Sequence, residues 1–151
     1  MAPLTGKLVS KTKIVSSGDV FHELWSSTPH HVANISPEKV QGCDLHEGDF
    51  GKAGSIICWR YVHEGKKKVA KQVIETIDEE NKSITFKMLE GDLMELYKSF
   101  LITIHVDTKG EDNLVTWTLD YEKLHEDVED PNSFMEFLIH LTKDIESHHL
   151  Q

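Results

Sequence analysis

Apolar and polar residues alternate with a period of two through most of this chain and change to a 3.6-residue period near its end. Val115, Trp117, Leu119 and Tyr121 alternate with Thr116, Thr118, Asp120 and Glu122, the signature of a strand with one buried face. Similar patterns predict strands over Leu4 to Val15, Lys39 to Leu45, Ser55 to Val62, Lys68 to Ile77, around Ile84, Phe86 and Met88, and through Phe100, Ile102, Ile104 and Val106. With the Leu114 to Lys123 segment, that makes seven. Turn-forming runs separate them: Gly48, Gly51 and Gly54, then Glu64-Gly65-Lys66, Asp78 to Asn81, Glu90-Gly91-Asp92 and Lys109 to Asp112.

Helical spacing occurs in two places. Asp19 is expected to cap a short helix over Val20 to Ser26, where Phe21, Leu24 and Trp25 sit at i, i+3 and i+4. Thr28-Pro29 opens a second short turn through Ala33, which Ser36-Pro37 closes. Asp130-Pro131 then signals a long final helix, with Asp as cap and Pro at the first helical position. Phe134, Phe137, Leu138, Leu141 and Ile145 share one face of it. That face needs a partner, and the chain before it is nearly all strand. The economical arrangement is an α+β layer in which the helix lies across the concave face of an antiparallel sheet, a geometry that often encloses a pocket.

The 151 residues suffice for one core, no linker-like stretch divides them, and residues 1–151 read as a single domain. A formal net charge of −10, with basic residues scattered apart from Lys66-Lys67-Lys68, argues against a nucleic-acid partner. Met1 to Ser10 hold no apolar run of signal-peptide length and no segment is long enough to span a bilayer, so a soluble cytoplasmic protein without a membrane partner is expected. Cys43 and Cys58 flank the glycine-rich loop and would stand almost opposite each other in a hairpin; in a reducing compartment they are expected as free thiols.

Several stretches together resemble the plant major latex proteins of the birch pollen allergen (pathogenesis-related) superfamily. They are Leu4 to Leu8, Glu47 to Ser55, Trp59-Arg60-Tyr61, Glu90-Gly91-Asp92 and Tyr121-Glu122-Lys123, in the same order over essentially the whole chain. The resemblance implies a helix-grip fold: a seven-stranded antiparallel sheet wrapped round a long C-terminal helix, two short helices forming a V after strand 1, and a large hydrophobic cavity. It also implies a cytosolic plant protein, linked to defence and stress responses, that binds small hydrophobic ligands such as hormones, flavonoids, steroids or other phenolics. No cofactor is expected, and a monomer is.

By pattern alone the inward residues are simply a core. The resemblance turns Ile57, Trp59, Tyr61, Phe86, Met88, Phe100, Ile102, Trp117, Leu119, Tyr121, Phe134, Phe137, Leu138 and Leu141 into the candidate ligand-binding set. His140 and Thr142 flank the helix face as possible polar contacts.

Catalytic and metal readings fare less well. Gly48 to Ser55 lacks the Lys-Ser or Lys-Thr of a phosphate cradle, and Glu47 and Asp49 would repel the anion. The ten histidines, including His30-His31 and His148-His149, show no ligand spacing. Paired acids lie in turns, where nothing desolvates them. Relatives of the superfamily include ribonucleases and alkaloid-forming enzymes whose pocket lysine has carboxylate and tyrosine partners, but Lys87 falls on the face opposite Phe86 and Met88. A binding protein is therefore the leading reading, with a weak ribonuclease or a pocket-based metabolite-transforming enzyme as the alternative.

Overall fold

The computed structural model describes residues 4–15, 17–109 and 112–149. The strands are β1 (Thr5–Ile14), β2 (Val40–Glu47), β3 (Ile56–His63), β4 (Lys66–Asp78), β5 (Ser83–Gly91), β6 (Tyr97–Lys109) and β7 (Asp112–Lys123). All pair antiparallel in the order β1-β7-β6-β5-β4-β3-β2. The turn expected at 109–112 lies partly outside the described residues. Strands adjacent in sequence are neighbours in space except β1 and β2, which stand at opposite edges. The segment joining them carries α1 (Gly18–Ser26) and, after a 3-10 turn at Pro29–His31, α2 (Val32–Ile35).

Local chemistry accounts for the joints. The β3–β4 hairpin closes on Glu64 and Gly65, both at positive φ (55° and 73°), the backbone of a two-residue turn matched to strand twist. Register shifts at Lys71/Gln72 and Ile74/Thr76 break the β4–β5 ladder, and such bulges bend a strand, here in a sheet that must curve round a helix. Asp19 does not cap α1. Its first ladder bond runs from Phe21 N to the Ser17 carbonyl, while Asp19 sits inside the first turn, 3.4 Å from Lys82 Nζ.

The long helix α3 spans Asn132–His149. Asp130 is not its cap either: Met135 N donates to the Pro131 carbonyl at 3.0 Å, and the Asp130 carboxylate accepts instead from the Tyr121 hydroxyl and pairs with Lys123 Nζ at 3.1 Å. The helix buries Phe134, Met135, Leu138, Leu141, Thr142 and Ile145, and half-buries Phe137. A buried polar contact ties its middle to the sheet. Trp117 Nε1 donates to Thr142 Oγ1 at 2.8 Å, and that hydroxyl donates to the Leu138 carbonyl at 2.8 Å. Thr142 is fully buried with both roles in use, so it is not the spare ligand contact its position suggested. His140 is exposed.

Thr142→Val keeps the shape and removes the acceptor, leaving the Trp117 N–H buried and unpaired. The expected loss is about 1–3 kcal/mol. Thermal unfolding followed by circular dichroism should show the midpoint lowered by roughly 3–10 °C, and an unchanged midpoint would remove this bond from the account of how helix and sheet are joined.

Candidate functional site

Between α3 and the sheet lies a cavity of about 50 Å³. Its wall is Trp25 from α1, Val40 from β2, Trp59 and Tyr61 from β3, Ala70 and Gln72 from β4, Phe86 from β5, Ile102 and Ile104 from β6, Trp117 from β7, and Phe134, Phe137, Leu138 and Leu141 from α3. This is far smaller than the large cavity the family resemblance implied, and below the roughly 300–1,000 Å³ of drug-sized pockets. Aromatic rings fill the difference. Trp25 stands 5.8 Å from Trp59 and edge-on to Trp117 at 5.3 Å, while Tyr61 lies 5.7 Å from Phe137 and 6.2 Å from Phe134.

Nine residues of the sequence-derived set reach this wall: Trp59, Tyr61, Phe86, Ile102, Trp117, Phe134, Phe137, Leu138 and Leu141. Five do not. Ile57 and Leu119 are completely buried core residues, and Met88 packs beside Gln72, its sulfur 3.9 Å from Nε2. Phe100 and Tyr121 join Tyr97 in an aromatic cluster with centroids 5.1 to 6.2 Å apart, away from the cavity wall. The Tyr121 ring also covers Gly6, where a Cβ would come within 2.5 Å of its hydroxyl. Alternation identifies the inward face of a strand, but the gap opens only where neighbouring rings fail to meet. Trp25, Val40, Ala70, Gln72 and Ile104 also line the cavity but were not in the sequence-derived set, although Phe21, Leu24 and Trp25 on one helical face was a signal that the first helix also packs inward.

The polar groups of the wall are few and unequal. Trp59 Nε1 donates to Gln72 Oε1 at 2.9 Å. Tyr61 Oη and Trp25 Nε1 are buried and have no hydrogen-bond partner among the described residues. Burial, with a smaller contribution from the Asp92 carboxylate, pushes the Tyr61 phenol well above its ordinary value.

A second, outer depression of about 870 Å³ opens between the β3–β4 hairpin, the 3-10 turn at Asp92–Glu95, and residues 127–136. Phe134 is the residue lining both spaces, so its ring separates them. Beside it, His63 Nε2 meets Ser133 Oγ at 2.8 Å, and the His63 ring packs 5.9 Å from Phe134 and 5.7 Å from Phe137. This pair is not arranged as a base and nucleophile. Lys68 Nζ lies 3.3 Å from His63 Nδ1; an ammonium only donates, so Nδ1 accepts and the ring proton sits on Nε2, pointing at Ser133. The arrangement ties the start of α3 to β3.

Other sequence candidates lie apart from the cavity. Gly48, Gly51 and Gly54 have φ of 87° to 90°, and Ser55 Oγ closes their loop by donating to the Asp49 carbonyl at 2.7 Å. Glu47, Asp49 and Lys52 are exposed. Among the described residues no group of three or more His, Cys, Asp or Glu is placed to hold a metal. The cysteines are free, but Cys43 pairs with Trp59 and Cys58 with Asp44. This one-residue offset sends them to opposite faces of the sheet rather than opposite each other.

The model for the pathogenesis-related protein Bet v 1 family matches residues 3–151. MLP-like protein 28 of Arabidopsis thaliana is 48% identical over 147 residues, 96% of this chain, which spans only 44% of that protein's length. MLP-like protein 43 of the same plant is 47% identical over 147 residues, covering 96% of this chain and 93% of the relative. The crystal structure of ginseng major latex-like protein 151 (GLP) from Panax ginseng superposes with a TM-score of 0.96 at 59% identity, over 98% of this chain and 99% of that one.

Burial first, and then Lys68, hold the His63 imidazole below its ordinary value near 6.5, with Glu64 opposing. A depressed value means the stability from keeping this ring neutral is complete above about 6.5 and is lost as pH falls toward the folded-state value. His63→Gln retains a donor for Ser133 and removes the titration. The melting temperature should therefore fall less in the variant than in the wild type between about pH 7.5 and pH 5.5; equal falls would show that His63 is not a source of acid sensitivity.

Proposed function

The chain belongs to the pathogenesis-related protein Bet v 1 family, and from that membership and its internal cavity we propose that it is a binding or carrier protein for small hydrophobic molecules. The observation that carries this reading is an apolar cavity walled by all three tryptophans of the chain. We place its work in the plant cytoplasm, as a monomer in defence and stress responses, with hormone-, flavonoid- or steroid-like molecules as the ligand class. Among the described residues no helix is long and apolar enough to cross a membrane.

Physical chemistry sets the scale of affinity. A two-ring ligand burying roughly 250 Å² of apolar surface gains about 6 kcal/mol, which corresponds to tens of micromolar before the costs of association. The cavity is narrower than such a ligand, so binding displaces side chains. Phe137 is the readiest to move, because it is only half-buried while its neighbours on the wall are packed. A ribonuclease reading is weaker: Glu47, Asp49 and Lys52 lie exposed on a loop of a chain with net charge −10, a poor surface for a polyanion.

Three indoles in one wall supply the readout. An environment-sensitive apolar dye should shift or quench tryptophan emission on binding and should be displaced by planar phenolics or steroids. Phe137→Ala removes a ring from the wall and should tighten dye binding roughly tenfold, about 1.4 kcal/mol, with far-UV dichroism unchanged. Dye binding that leaves the indole emission untouched would place the site outside the cavity.

A further inference from the structure

The residues that line the cavity hold more hydrogen-bond donors than acceptors. Of its three indole N–H groups, that of Trp59 is used by Gln72 Oε1 and that of Trp117 by Thr142 Oγ1. The third, on Trp25, is buried with no acceptor among the described residues. Tyr61 presents a hydroxyl that is equally shut off and equally without a partner. Gln72 spends its oxygen on Trp59, while its amide nitrogen has only the Met88 sulfur at 3.9 Å, a weak acceptor. All three residues line the cavity, and the other residues of that wall, apart from the two engaged indoles, are apolar. Trp25 and Tyr61 are each only 4% exposed, so bulk water does not satisfy them.

Burying a donor without an acceptor is unfavourable, and a site built to hydrogen-bond a ligand atom discriminates against the analogue that lacks it. We propose that this cavity selects compact ring systems bearing a hydrogen-bond acceptor oxygen, a carbonyl or an ether, over pure hydrocarbons and over amines, and that Tyr61 and Trp25 are the residues that impose the choice. The inference rests on the ligand-binding reading above and narrows it to a chemical class. Ammonium groups are disfavoured twice over, since they bring donors to a wall already rich in them and a charge to an apolar space.

Tetralone and tetralin share two fused rings and differ by one carbonyl, and tetralylamine replaces that carbonyl with a donor. Calorimetry and tryptophan emission on the full chain should find tetralone bound roughly tenfold more tightly than tetralin and tetralylamine weakest, although the carbonyl makes tetralone the more water-loving of the first two. Tyr61→Phe should abolish most of the tetralone preference while leaving tetralin affinity nearly unchanged, and Trp25→Phe should act in the same direction. Tetralin binding as tightly as tetralone, or a preference that survives both substitutions, overturns the inference and leaves the ligand-binding reading standing. Binding of neither ketone nor hydrocarbon to the wild type overturns that reading, and the inference with it.

Discussion

The apolar face of α3 has to be buried, and the sheet has to bend for that to happen. A flat sheet would touch the helix along one line. Here register shifts between β4 and β5 accompany the curvature, and inward residues of β2 to β7 surround one cavity together with Phe134, Phe137, Leu138 and Leu141 of α3. Orientation is fixed by the hydrogen bond from Trp117 to Thr142 at the middle of the helix and by ties at its start: His63 to Ser133, and Tyr121 and Lys123 to Asp130. The cavity is a by-product of this geometry. A cylinder laid in a concave surface leaves space wherever side chains from the two do not reach each other.

How much space remains depends on side-chain size rather than on topology. Three tryptophans, Tyr61, Phe86, Phe134 and Phe137 close the interior to about 50 Å³. Close packing of this kind favours stability, since each ring gains contacts, and a ligand must compete with it. The same wall therefore supports a receptive state only through movement of its least buried member, Phe137. Function and stability draw on the same residues.

Periodicity made most of the fold legible. Seven alternating runs became seven strands, and the 3.6-residue face at the end became α3, with boundaries displaced by one to a few residues. Both acidic caps were misplaced: α1 begins at Gly18, which puts Asp19 inside its first turn, and the Asp130 carboxylate engages Tyr121 and Lys123 instead of the helix backbone. The site was half legible. Strand residues facing inward were found by alternation, but Phe100 and Tyr121 stack on each other and do not reach the cavity. Trp25 was read as part of a small helix with its own face, so of the two residues that give the cavity its chemistry Tyr61 was found and Trp25 was overlooked. Cys43 and Cys58 make the same point: spacing brought them together, and a single-residue offset in register separated them.

Isotope-filtered nuclear Overhauser spectroscopy of the protein with a small unlabelled aromatic ligand tests the central claim most directly, because it reports which protein protons touch the ligand. The account predicts contacts to the indole protons of Trp25, Trp59 and Trp117 together with the rings of Tyr61 and Phe137. Contacts confined to Leu93, Leu96 and other residues of the outer depression, with none to the three indoles, would contradict it.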